Sequence, residues 1–250
     1  MDLIAKGKGQ RAQGSGHFEK VSYNPYFYDM NEKAYIELVF RQQQDIELLI
    51  ESLILKVLDD DTFRELVIDQ LISHDHIMVY YHSFLIIDGA SKREPSLFYG
   101  SWDKFASLLD HENSYHRNYA MQIIANLTKV DNQNRFDLIM DKYYRQLNDE
   151  KFLTRRYCVL NSREIIINKP YLCNSIIDRL IVFIRTSENT EKQQNLIISD
   201  FINVISYIAS LIKDRKIIIE FLLMIKKHTK SNKVQKQISS LIPMINLKEG

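Results

Sequence analysis

The chain has 250 residues, 45% of them hydrophobic, with 33 Lys and Arg against 32 Asp and Glu, a net charge of +1. That length suits one large domain or two small ones and is enough to bury a sizeable core. The near-neutral charge argues against a globally basic nucleic-acid binder and against an acidic disordered chain. Two cysteines, Cys158 and Cys173, are too few for a disulfide framework or a cysteine zinc site.

Residues 1–22 carry Lys6, Lys8, Arg11 and Lys20 among four glycines and have little apolar content after Ile4, which predicts a flexible basic tail. Gly9 and Gly14 have a P-loop interval, but Ser15 stands where a lysine is needed, so no phosphate loop is expected. No apolar segment of signal-peptide length opens the chain and no apolar run is long enough for a bilayer; a soluble, cytoplasmic protein with no membrane partner is expected. An aromatic knot follows, Tyr23, Tyr26, Phe27, Tyr28 and Tyr35 around Pro25, read as a cap over the first helix and the start of a single domain, 23–250.

From Glu32 onward the only glycines before the last residue are Gly89 and Gly100, and the only prolines are Pro95, Pro170 and Pro243. A β-rich protein would need many more of both for its hairpins. Leu48, Leu49, Ser52, Leu53, Leu55 and Lys56 follow helical spacing, as do Ile197, Phe201, Val204, Ile205 and Ile208. Helices are predicted over 32–58, 61–72, 76–88, 101–109, 114–128, 133–147, 152–168, 171–185, 190–212, 214–228 and 231–246. Carboxylates at Asp59, Asp60 and Asp61 suit a helix N-terminus, and Lys169-Pro170 ends one helix and starts the next. One connection is longer than the rest. Residues 88–101 hold both mid-chain glycines and mix Lys92, Arg93 and Glu94 with Leu97, Phe98 and Tyr99, which predicts an insertion that binds a partner or folds back on the helices.

The chain repeats itself. Asp110-His111-Glu112-Asn113 leads to Arg117, Tyr119 and Ala120; 38 residues later Asn148-Asp149-Glu150-Lys151 leads to Arg155, Tyr157 and Cys158. Thr186-Ser187-Glu188-Asn189 into Gln193-Gln194 and Thr229-Lys230-Ser231-Asn232 into Lys236 continue the series, and Ser73-His74-Asp75-His76 into Tyr81-His82 is a degenerate earlier copy. A period near 40 with two helices per unit resembles HEAT and armadillo repeats, and Leu108–Leu127, with Arg117, Ala120 and Asn126, resembles an armadillo unit. The resemblance covers about residues 60–246 and implies an all-α, right-handed α-α superhelix of about five helix pairs. Within the alignment, Ile123 and Ile124 become Asn161 and Ser162, then Ser199 and Asp200. Polar groups in a core phase must find partners or the phase must slip.

Catalysis is not expected. Ser73-His74-Asp75-His76 invites comparison with the metal-dependent HD hydrolases, but the only upstream histidine is His17, in the tail, and the motif reads more simply as a helix–helix turn. Cys158 and Trp102 read as core residues. No cofactor and no metal are expected. The charge pattern says more: residues 29–75 sum to −8 and residues 213–236 to +6. The reading is a non-catalytic protein-binding scaffold. Its second helices would expose Arg117, Gln122, Asn126, Arg155, Arg156, Gln193 and Gln194 to a protein partner. A basic patch of Lys226, Lys227, Lys230, Lys233 and Lys236 would meet an acidic one. The alternatives are a nucleic-acid binder using Arg117, Arg155, Arg156 and those lysines on phosphates, and third, the HD-like hydrolase.

Overall fold

The computed structural model describes residues 30–40 and 46–246. The described residues form twelve α-helices: α1 (Glu32–Phe40), α2 (Ile46–Asp59), α3 (Asp61–Ser73), α4 (Ile77–Arg93), α5 (Trp102–Ser107), α6 (Ser114–Leu127), α7 (Arg135–Tyr144), α8 (Phe152–Asn168), α9 (Cys173–Thr186), α10 (Glu191–Ile208), α11 (Arg215–His228) and α12 (Asn232–Asn246). Short 3-10 turns join several of them, and no strand occurs among the described residues. The basic tail and the aromatics from Tyr23 to Tyr28 lie outside the described residues. Tyr35 is fully buried; its ring meets Phe63 edge-on at 5.8 Å and its hydroxyl lies 2.8 Å from Ser83 Oγ.

Side-chain caps set the helix starts where the sequence placed them. Asp60 accepts from the Phe63 amide at 2.9 Å, Asn113 accepts from the Tyr115 amide at 3.0 Å, and Thr190 with Gln193 closes a reciprocal capping box on α10. The even-numbered helices pack in succession, α2 on α4, then α6, α8, α10 and α12. On these lie α3 against α4, α5 against α6, α9 against α10 and α11 against α12, while α7 reaches α8 through the turn Arg145–Asn148. An interval of 38 residues recurs among the side-chain bonds. Hydrogen bonds join Gln70 to Glu32, Asn126 to Asp88, Lys169 to Asp131, Arg179 to Asp141 and Ser199 to Gln237, each pair 38 residues apart. One apolar core runs through the stack, anchored by Trp102, Tyr143, Phe105, Phe136, Phe201 and Phe221.

The expected insertion at 88–101 is not one. Helix α4 continues to Arg93, and Pro95–Ser101 forms a 3-10 helix. Gly89 lies inside α4 because α2 crosses there: a Cβ at this position would collide with the Ile54 side chain. Pro95 keeps Glu94 out of the helical region, at φ −130° and ψ 72°, and so stops the helix. Phe98 is fully buried and the Tyr99 hydroxyl donates to Asp131 at 2.6 Å, so neither is a free ligand; Leu97 alone stays largely out, at 40% exposure.

Three of the four polar residues at core-phased positions, Ser162, Ser199 and Asp200, find partners in place and not in one another, while the Asn161 side-chain nitrogen is buried without a hydrogen-bond partner among the described residues. Tyr144 donates to Ser162 Oγ at 3.1 Å, Asp200 accepts two bonds from Arg156, and Ser199 donates to Gln237 at 2.9 Å.

Candidate functional site

Most of the polar residues expected to face a partner are instead fasteners between units. Arg117 is buried: it forks onto Asp149 at 2.7 and 3.0 Å and donates to the carbonyls of His111 and Glu112. Arg155, one repeat on, donates to Asn189 at 3.0 Å, and Arg156 forks onto Asp200 at 2.6 and 2.9 Å. Asn126 is buried, donating to Asp88 and Ser91 on α4. Gln194 donates to the Ile184 carbonyl at 2.7 Å and Gln193 belongs to the α10 cap. Only Gln122, half-buried, has none of these duties. The reason is geometric. A residue at the start of a second helix faces the turn of the next unit, so a long basic side chain there reaches a carboxylate or amide 32 to 34 residues ahead.

A further fastener escaped the sequence reading. Lys169 and Asp131 form a buried ion pair at 3.0 Å, and Asp131 also accepts from the Arg135 and Phe136 amides and from Tyr99. Burial opposes ionisation of Asp131, but the bonds from Tyr99, the two amides and Lys169 outweigh it and hold the carboxyl below its usual value. Lys169 follows an Asn and precedes a Pro in sequence, where it reads as an ordinary helix end.

With those residues committed, what the second helices do show is aromatic. Tyr81, Tyr119 and Tyr157 recur at intervals of 38 on α4, α6 and α8, beside Ile77, Tyr115 and Leu153 at the same interval. Ile77, Tyr81, Tyr115 and Leu153 are 40–48% exposed. Tyr119 sits 6.3 Å from both Tyr80 and Tyr115 and stacks on Phe84 at 4.0 Å. Burial drives its phenol well above the ordinary value, and the phenols of Tyr80, Tyr81, Tyr115 and Tyr157 push it further. Of these hydroxyls only that of Tyr80 is engaged within the described chain, by Asn113 at 3.3 Å. The repeat alignment contained these tyrosines as register marks. The signal that could have found the face was that the marks were bulky and aromatic and recurred at the repeat interval.

The C-terminal end differs. Lys227, Lys230, Lys233 and Lys236 are exposed, Lys226 is half-buried, and none of the five pairs with a carboxylate among the described residues. Lys230 lines one and Lys233 the other of two adjoining hollows between the α9–α10 and α11–α12 turns, of about 700 and about 590 Å³, with Glu191 and Asn195 common to both. The first has an apolar floor of Ile184, Ile198, Phe221, Met224 and Ile225, and Arg185, His228 and Lys230 stand on its rim. The second is edged by Lys192 and Lys233.

The histidine motif is a turn. His74 Nδ1 accepts from the His76 amide at 3.0 Å and His76 Nδ1 from the Met78 amide at 3.2 Å, capping α4. His17 lies outside the described residues. Cys158 is fully buried, and burial pushes its thiol far above the ordinary value. No helix among the described residues is long and apolar enough to cross a membrane.

No known protein family matches the chain and no curated protein matches it. The chain is similar to an engineered protein solved by the Northeast Structural Genomics Consortium, with a TM-score of 0.51 and 17% identity over 88% of this chain and 100% of that one. A second engineered protein from the same consortium gives 0.45 and 15%, over 87% of this chain and 97% of that one. At these identities the first likeness bears on the fold alone, and the second carries no argument.

Proposed function

We propose that the chain is a right-handed α-solenoid of about five HEAT/armadillo-like helix pairs that serves as a non-catalytic protein-binding scaffold. The succession of even-numbered helices and the 38-residue interval of the inter-unit bonds support the solenoid. The observation that carries the binding role is the tyrosine row on α4, α6 and α8. Tyrosine gives a large, rigid contact with a polar tip, and it is enriched where proteins meet proteins. A cluster with two rings half in water and four unengaged hydroxyls offers both kinds of contact. Nucleic acid is a poorer fit to this face, because Arg117, Arg155 and Arg156 already have partners within the chain.

A photo-crosslinking residue placed at Tyr81 or Tyr157, in cells of the native host, tests the reading. Crosslinks to a defined protein at both positions, absent when the same residue replaces Leu138 on α7, are expected. Crosslinks to nucleic acid, or none above the Leu138 control, would overturn it.

A further inference from the structure

Arg185 is exposed and its guanidinium lies over the Phe221 ring at 5.1 Å, with no carboxylate bonded to it among the described residues. A guanidinium held over an aromatic face keeps its N–H groups as donors, and this group grips a carboxylate with two parallel bonds. Every other arginine fork described above already holds an acid or amide; this one faces a hollow. Beside it the floor is apolar, and Met224 is 40% exposed there. Across it stand His228 and Lys230, and Lys192 and Lys233 edge the adjoining hollow. Glu191 is the one acid lining either hollow, and Glu188 lies just outside them on the α9–α10 turn. Asn195 uses its carbonyl oxygen to accept from Thr229 at 3.2 Å, which leaves its amide N–H groups for a ligand.

The combination is specific. A bare cationic surface would take any polyanion, and a bare apolar one would take any greasy segment. Here a long groove of about 700 Å³, opening into one of about 590 Å³, sets an apolar floor between cationic walls. Complementary charge steers encounter and the floor rewards only a partner that brings side chains to fill it.

We infer that the groove between the α9–α10 and α11–α12 turns binds an acidic protein segment, a carboxylate gripped by Arg185 and apolar side chains seated against Met224. The lysines from Lys227 to Lys236 extend the same positive field along the bound segment. Arg185, Met224 and Lys230 belong to none of the tyrosine row, so this groove and that face can fail separately.

The test is fluorescence polarisation of the full chain with labelled synthetic peptides. A repeating Asp-Glu-Leu peptide is expected to bind. Its affinity should fall about tenfold or more with Arg185→Ala, with Lys230→Glu and with Met224→Asp, and severalfold on raising salt. Tyr81→Ala and Leu138→Asp should leave it unchanged. All three groove positions are exposed, and an unaltered melting temperature shows that each variant is folded. Failure of the Asp-Glu-Leu peptide to bind would overturn the inference. So would equal binding of a repeating Asp-Glu-Ser peptide with no effect of Met224→Asp, which would make the groove a mere polyanion surface. Tighter binding of duplex DNA than of the acidic peptide would assign the end to nucleic acid instead.

Discussion

Basic residues do opposite things in the middle of the stack and at its C-terminal end. Between α4 and α10, Arg117, Arg156 and Lys169 are turned inward, each holding a carboxylate of a neighbouring unit. On α11 and α12, Lys227, Lys230, Lys233 and Lys236 are turned outward and hold none among the described residues. The difference follows from what neighbouring units supply. In the middle they supply a carboxylate: Asp149 on the turn ahead of Arg117, Asp200 on α10 ahead of Arg156, and Asp131, 38 residues before Lys169. The same residue type therefore reports cohesion in one region and an open surface in the other. Composition alone cannot tell them apart.

The sharpest break between the regions should appear in stability. Lys169→Ala leaves the Asp131 carboxylate buried without its cation and should cost about 3–5 kcal/mol, a fall in melting temperature on the order of 10 °C. Arg117→Ala should act similarly, and Arg117→Lys should recover only part, because a single ammonium cannot fork onto Asp149 while also reaching two carbonyls. Phe98→Ala, also in the middle, should cost about 3–5 kcal/mol by opening a cavity, whereas Leu97→Ser beside it should change little. Thermal denaturation followed by circular dichroism reads all five. A Phe98→Ala variant of unchanged stability would restore residues 88–101 as a free loop.

Acid should separate the regions next. His116 is buried beside Tyr80 and His111, and burial first, then the charge of His111, lower its pKa from the ordinary 6.5 to about 4. Above pH 6.5 neither folded nor unfolded chain carries the proton and stability is complete. As pH falls from 6.5 toward 4 the unfolded chain takes up a proton that the folded chain refuses, and up to about 3 kcal/mol is lost. His116→Phe should flatten this slope between pH 6.5 and 4 in urea melts, while Met224→Leu at the exposed end should not.

The fold was legible because helical phase, caps and the 38-residue interval are local properties of the chain. Asp60 caps the helix that the carboxylates of Asp59, Asp60 and Asp61 announced, and Asn113 and Thr190 cap helices that start within a residue of the expected 114 and 190. Legibility failed where a residue's role depends on an element far away. Gly89 looked like a loop glycine because nothing nearby reveals that Ile54 of α2 crosses α4 at that point. Arg117 and Arg156 looked like an open basic face because Asp149 and Asp200 meet them only after the next helices are folded into place. At the C-terminal end the excess of lysine was read as surface, and the lysines do lie on the surface; the Arg185–Phe221 stack beside them needed coordinates. The tyrosine row was visible as periodicity and missed as a face.

The smallest effect on stability is expected from the largest change in charge. Replacing Lys227, Lys230, Lys233 and Lys236 together with alanine removes four positive charges from exposed sites that satisfy no carboxylate among the described residues. Each such site is ordinarily neutral to within about 0.5 kcal/mol, and like charges close together repel. The melting temperature should therefore stay within about 2 °C of the parent or rise slightly. Salt supplies a second reading: it screens repulsion over roughly 10 Å at 0.1 M, so added salt should raise the parent's melting temperature and leave the quadruple variant's flat. A fall of several degrees would mean that these lysines hold the last helix pair together as Arg117 and Lys169 hold the middle, and the contrast between the two regions would collapse.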